Sequence, residues 1–147
     1  MTFNDCSNNA ASLSIAESSS ALRCITAFLS GATYQDVTVS VSLSGTASSS
    51  DYSSDYLGRG YITINAGNTQ ASFSFDPSTD SLYEGNETLV VDMSNVVGGS
   101  ATESGTQSIT ITITDDNSTP SLSINDVTTT NEGNTATNMT VTLSAVS

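Results

Sequence analysis

The sequence contains no histidine, no tryptophan and no lysine, and its two basic residues, Arg23 and Arg59, stand against 15 acidic ones for a formal charge of -13. Each absence removes a class of chemistry. Without histidine no Ser-His or Cys-His relay can activate a nucleophile, and without lysine there is neither a Schiff base nor a Walker-type side chain to cradle phosphate. The charge repels phosphate backbones and anionic headgroups, which argues against nucleic acid and acidic membranes as partners and makes cations the natural counterpart. Long apolar runs are missing too. The most apolar stretch, residues 21–29, is short and contains Arg23, so no membrane insertion is expected. The N-terminus has no basic region followed by an apolar core, so either another export route or an already processed chain is expected. Cys6 and Cys24 can form one disulfide or remain two thiols; their wide separation and the missing histidine exclude a CxxC-type metal site.

What fills the sequence is serine and threonine alternating with aliphatic residues. Period-two patterning runs through Val37-Thr38-Val39-Ser40-Val41-Ser42-Leu43, Tyr61-Ile62-Thr63-Ile64, Ala71-Ser72-Phe73-Ser74-Phe75 and Ile109-Thr110-Ile111-Thr112-Ile113-Thr114. Thr88-Leu89-Val90-Val91-Asp92-Met93 is apolar through its middle, and residues 13–16 and 22–29 complete about seven strands. One apolar and one hydroxylated face per strand, with Gly, Asn, Asp and Ser clusters between and no helical period, predicts an all-β fold: an immunoglobulin-like antiparallel sandwich.

The pattern then starts again. Met139-Thr140-Val141-Thr142-Leu143-Ser144 lies over Ile25-Thr26-Ala27-Phe28-Leu29-Ser30 without gaps, and Asp115-Asp116-Asn117-Ser118-Thr119-Pro120 is turn chemistry that closes the first unit. The expected organisation is an N-terminal arm over residues 1–11, a sandwich over 12–119, and the first two strands of a second unit over 120–147. Two strands cannot bury an apolar face alone. Leu122, Ile124, Val127, Met139, Val141 and Leu143 therefore call for a cover, either the rest of a tandem repeat or a neighbouring subunit completed by strand donation.

The acidic residues gather at strand ends: Glu17, then Asp51 and Asp55, then Asp80, Glu84 and Glu87, then Asp115 and Asp116. In a sandwich these turns can share one rim, where converging carboxylates need either solvent or a cation, and flexible oxygen ligands are what Ca²⁺ prefers. A solvated rim and turn-capping aspartates are the alternatives from composition. The pair Glu84 and Glu87 offers no spacing or environment suited to glycoside hydrolysis. Tyr52, Tyr56, Tyr61 and Tyr83 suit rim packing better than a sugar platform. Asn86-Glu87-Thr88, Asn117-Ser118-Thr119 and Asn138-Met139-Thr140 are formal glycosylation sequons.

Four segments in order resemble the Calx-beta motif: Gly45-Thr46-Ala47 through Ser50-Asp51-Tyr52, then Gly60-Tyr61-Ile62-Thr63-Ile64-Asn65-Ala66-Gly67-Asn68-Thr69-Gln70, then Tyr83-Glu84-Gly85-Asn86-Glu87-Thr88-Leu89, then Ile111-Thr112-Ile113-Thr114-Asp115-Asp116-Asn117. The resemblance covers about residues 12–117, and Asn131-Glu132-Gly133-Asn134 resembles the opening of the next copy. It implies a seven-strand immunoglobulin-like sandwich, found in tandem in exchangers, integrin subunits and bacterial surface proteins. By motif position it implies calcium ligation by Glu17, Asp51, Asp80, Glu84, Glu87, Asp115 and Asp116, with Leu82 a carbonyl donor and Asn117 where a third Asp often stands. Thr79-Asp80-Ser81 is less acidic than the motif, and Glu17-Ser18 lacks the Glu-Gly step, which implies one or two sites of ~10⁻⁴ to 10⁻³ M affinity.

The expected function is a non-catalytic, calcium-binding module of an extracellular or cell-surface protein with an adhesive or scaffolding role. Its expected partners are calcium and neighbouring repeats or identical subunits through residues 120–147. The rival expectation is a filament subunit that polymerises by donating its C-terminal strands. An exchanger's regulatory sensor is disfavoured, since nothing supplies a membrane part or a basic regulatory segment.

Overall fold

The computed structural model describes residues 2–5 (backbone), 12–21, 23–55, 59–105, 107–128 and 138–146. Cys6, Leu22, Tyr56 and residues 131–134 lie outside the described residues. Among the described residues eleven strands are present: β1 (Thr2–Asp5), β2 (Ser12–Ala16), β3 (Arg23–Phe28), β4 (Val37–Gly45), β5 (Tyr52–Ser54), β6 (Tyr61–Ile64), β7 (Gln70–Pro77), β8 (Glu87–Val97), β9 (Ser108–Thr114), β10 (Leu122–Ile124) and β11 (Val141–Leu143). A four-stranded sheet, β1-β3-β7-β5, faces a five-stranded sheet, β2-β9-β8-β4-β6, while β10 and β11 form a separate hairpin. The fold is the immunoglobulin-like sandwich expected. No helix among the described residues is long and apolar enough to cross a membrane.

Alternation decides which side chains enter the core. In β9 the isoleucines Ile109, Ile111 and Ile113 are buried while Thr110, Thr112 and Thr114 face outward, as a pleated strand with one wet face requires. Opposite them, Ile25, Ala27, Phe73 and Phe75 of the other sheet close the core, with Tyr52 stacked at a tilt on Phe75, ring centroids 5.4 Å apart. Each wholly buried Val or Ile contributes about 1.5–3 kcal/mol of transfer free energy. A bulge interrupts β8 against β4: Val39 pairs with Val96 and Ser40 with Ser94, so Asn95 is the extra residue, and it sits at φ 45. Asparagine tolerates that left-handed conformation better than a branched residue would.

Two features of the ladder carry over to function. Among the described residues all strand pairs are antiparallel except one: β2 runs parallel to β9, from Ser12 beside Thr110 to Ala16 beside Thr114. And β1 pairs with β3, ending at Asp5 beside Ile25, next to the disulfide-bonded Cys24. The other cysteine of the sequence is Cys6.

Candidate metal centre

The parallel pair fixes where the acidic residues meet. Because β2 and β9 run the same way, both end at one pole, and Glu17 leaves β2 there with its N–H on the carbonyl of Thr114, 3.0 Å. β8 runs the other way and so begins at that pole, with Glu87 beside Ile113. β7 ends there at Pro77, opposite Tyr52 at the start of β5, which brings Asp51 to the same place. Five strand ends thus deliver carboxylates to one rim.

The loop before β5 is set by Gly45, whose φ of 121 is open to glycine, and where a Cβ would stand 2.2 Å from the Thr88 carbonyl oxygen. That close approach lets the N–H groups of Thr46 and Ala47 both donate to the Thr88 carbonyl, at 2.9 and 3.0 Å, and the Thr46 hydroxyl accept the Thr88 N–H at 2.9 Å. The loop is laid over the start of β8. Asp51 follows it, 8% exposed, accepting from the Ser48 N–H and the Ser50 hydroxyl, while its own carbonyl takes the Ser78 N–H at 2.9 Å.

Asp51, Glu84 and Glu87 each offer a carboxylate oxygen within 4.8 Å of the others. Glu87 is hydrogen-bonded to Asp51, and its pKa is pushed up to about 7 by burial first, then by that hydrogen bond and by the negative charges of Asp51, Glu84 and Asp115. Asp51 moves the opposite way: burial pushes it up, but the Ser48, Glu87 and Ser50 hydrogen bonds outweigh this and hold it low. The two share a proton unequally. Glu84 is exposed and raised, by desolvation and then by the charges of Asp51, Asp80, Glu17 and Asp115. The leading charges acting on Glu84 and Glu87 are those of other carboxylates.

Around this trio the remaining acidic residues act on the backbone. Asp115 Oδ2 accepts the N–H groups of Glu84 and Gly85, both at 2.6 Å, and its Oδ1 accepts that of Asn117 at 2.8 Å; these bonds hold its pKa low against the raising effect of desolvation. Glu17, 6% exposed, accepts the Asp80 N–H at 2.6 Å, and Asp80 in turn accepts the Leu82 N–H at 2.7 Å. Glu17, Asp51, Asp80, Glu84, Glu87 and Asp115 therefore form one connected set. Asp116 is exposed, and Leu82 and Asn117 enter through their N–H groups. Asp55 is diverted: its carboxylate takes the Ser74 N–H at 2.6 Å on the side of the sandwich. Sequence reasoning passed over Asn86, whose side-chain oxygen accepts the Asp115 N–H at 3.2 Å, and the Ser48 and Ser50 contacts that hold Asp51. The Gly-Asn step after Glu84 was the only signal for the first.

No protein-family profile matches the sequence, and no curated protein resembles it closely enough to match. Solved structures share its fold. The Calx CBD1 domain in its apo form superposes with a TM-score of 0.59 at 18% identity, covering 79% of this chain and 97% of that one. The calcium binding domain CBD12 of CALX1.1 gives 0.60 at 18% identity over 86% of this chain, and CBD12 from CALX1.2 gives 0.58 at 18% over 79%. This chain spans 50% and 44% of the length of those two.

Proposed function

We propose that the acidic pole of this Calx-like sandwich is a calcium site, and that the chain is a non-catalytic binding module of a secreted or surface-displayed protein with an adhesive or scaffolding role. The observation that carries the reading is the trio Asp51, Glu84 and Glu87, packed within 4.8 Å, with neighbouring carboxylates as the leading charges acting on Glu84 and Glu87. Carboxylates that close either keep a proton between them or gather around a cation. The donor set is all oxygen and flexible, which fits Ca²⁺ and gives nothing to a metal that wants nitrogen or sulfur. Asp51, Glu84 and Glu87 would hold the ion, with Glu17, Asp80, Asp115, Asp116, Asn117 and the Leu82 carbonyl as the candidates to complete its shell. The bound ion supplies the positive charge that the pole lacks. The structural likeness to the calcium binding domain CBD12 of CALX1.1 supports the same reading.

A catalytic role for the pair is disfavoured by distance. Retaining glycosidases separate their carboxyl groups by about 5–5.5 Å and inverting ones by about 6.5–9.5 Å, whereas Asp51 and Glu87 are hydrogen-bonded to each other. The disulfide at Cys24 supports an oxidising, extracellular setting, where calcium is abundant enough for a site of this kind.

Thermal melting under a calcium titration, with magnesium as the control, tests the reading. The melting temperature should climb with Ca²⁺ and go on rising with the logarithm of its concentration above Kd, since the ion binds only the folded pole. An unchanged melting curve at several millimolar Ca²⁺ removes the metal claim.

A further inference from the structure

The hairpin β10–β11 repeats the pairing of β1 with β3 in the same register. Thr2-Phe3-Asn4-Asp5 corresponds to Ser123-Ile124-Asn125-Asp126, and Ala27-Phe28-Leu29 to Val141-Thr142-Leu143. Phe3 pairs with Ala27 as Ile124 pairs with Val141, and Thr2 with Phe28 as Ser123 with Thr142. In the sandwich a facing sheet lies over β3, and Ile25 and Ala27 are 1% and 0% exposed. Their counterparts in the hairpin, Met139 and Val141, are 70% and 59% exposed.

Residues directly opposite in a ladder point to the same side of the sheet. Leu122 opposite Leu143 and Ile124 opposite Val141 therefore make one apolar face, which Met139 extends, while Ser123 and Thr142 make a polar one. The ladder continues one rung beyond each strand end, with the Ser144 N–H on the Ser121 carbonyl at 2.9 Å and the Asn125 N–H on the Thr140 carbonyl at 3.1 Å. Exposed apolar side chains concentrate here. Of the large hydrophobic side chains exposed among the described residues, Tyr34, Tyr61, Tyr83 and Val97 come from four separate segments, and all the others lie within residues 122–146. The segment joining the two strands, residues 129–137, has no apolar side chain larger than alanine to lay over that face.

We propose that this apolar face packs against the same face of a second copy of the chain, so that two hairpins close into a four-stranded, two-layer core about a two-fold axis. A lone two-stranded hairpin is marginal in water, and a second hairpin stacked about 10 Å away gives each the cover that β1 and β3 have in the sandwich. Charge selects the same partner surface. Residues 121–125 and 138–146 carry no ionisable side chain in a chain of net charge -13, so identical faces meet here without setting carboxylate against carboxylate. Asp126 follows the face at one end, and the sandwich joins it at the other, before Ser121. An axis that turns one hairpin end for end over its partner keeps the two Asp126 carboxylates apart and sends the two acidic sandwiches to opposite ends. The contact is isologous and closes at two copies, unlike strand donation from head to tail. The ladder from Ser121 to Asn125 on two strands makes a face of roughly 17 by 10 Å. That is short of the ~800 Å² per partner of a standard interface, so the dimer is weak and depends on concentration.

The test needs neither calcium nor the calcium reading and is run in chelator. Sedimentation velocity of the full chain should show mass rising with concentration and levelling at twice the monomer, with association strengthened by added salt as the like charges are screened. Val141→Lys, on the apolar face, should stay monomeric. Thr142→Lys, the next residue on the opposite face, should dimerise like the parent, although both variants add the same charge to the same strand. Val141→Thr, which keeps a β-branched side chain in the strand, should weaken the dimer several-fold, so that the proposal stays testable if the lysine unfolds the hairpin. Amide exchange at residues 122–124 and 141–143 should slow as the parent is concentrated. A parent monomeric up to about 1 mM, growth past the dimer, Thr142→Lys as disruptive as Val141→Lys, or Val141→Thr without effect would each overturn the proposal.

Discussion

Glu87 opens β8 with its carboxyl hydrogen-bonded to that of Asp51, and the two groups titrate in opposite directions from their ordinary values. From that pairing follow a pH dependence and a ligand dependence that can be measured separately.

In chelator, stability should fall as pH rises from about 4.5 to about 7. Glu87 keeps its proton in the folded state up to about 7, whereas the unfolded chain has released it by then, so the folded state binds more protons across that window. Asp51 and Asp115 act lower down with the opposite sign: their stabilisation is present above the ordinary carboxylate value and is lost as pH drops through their lowered ones. Denaturant titrations at pH 5 and pH 7.5 should show the loss at the higher pH, and Glu87→Gln should flatten it. An equal slope in the variant would mean that the proton sits elsewhere.

Calcium should reverse that loss. Binding requires Glu87 to give up its proton, so affinity should strengthen between pH 5.5 and 7.5 with proton release visible as a buffer-dependent enthalpy. At a hundredfold excess over Kd the native state gains about 2.7 kcal/mol, or roughly 5–10 °C in Tm for a chain of this size. Asp51→Asn, at a buried position, should abolish most of the shift.

Gly45→Ala probes the loop. A Cβ there would meet the Thr88 carbonyl oxygen at 2.2 Å in a left-handed conformation, so the 46–51 loop must lift from β8. We expect a cost of roughly 1–3 kcal/mol together with weaker calcium binding, because Asp51 rides on that loop. Stability lost with calcium affinity intact would separate the loop from the site.

Reduction tests the arm. Opening the disulfide at Cys24 should cost about 2–4 kcal/mol and loosen β1 from β3, which hydrogen exchange at Thr26 and Phe28 would register. Ile111→Ala, by contrast, should cost about 2–5 kcal/mol through a core cavity while leaving exchange along β1 and β3 as it is.

Much of this architecture is legible from alternation, because a strand with one wet face writes itself as Ile-Thr-Ile-Thr, and β9 and β4 do so plainly. What alternation cannot carry is direction and partner. The parallel run of β2 beside β9 has no sequence mark, and β5, three residues of Tyr-Ser-Ser, exists only because β7 offers it an edge. The candidate site divides in the same way. That carboxylates gather at strand ends could be read in the sequence, and the structure draws Glu17, Asp51, Asp80, Glu84, Glu87 and Asp115 into one set. Which of them share a proton depends on distances of an ångström, set by the Gly45 turn and the Asp115 backbone contacts. Asp116, adjacent in sequence, faces solvent, and Asp55 serves β7 instead.

The parallel run also has a mechanical consequence. A pull that draws Ser12 and Thr114 apart acts along the axis of both strands, so the rungs between β2 and β9 are sheared together and none can open before its neighbours. An antiparallel hairpin tugged at its open end unzips rung by rung at low force. The parallel pair of β2 and β9 therefore resists a pull along the strand axis more than an antiparallel hairpin opened from its end.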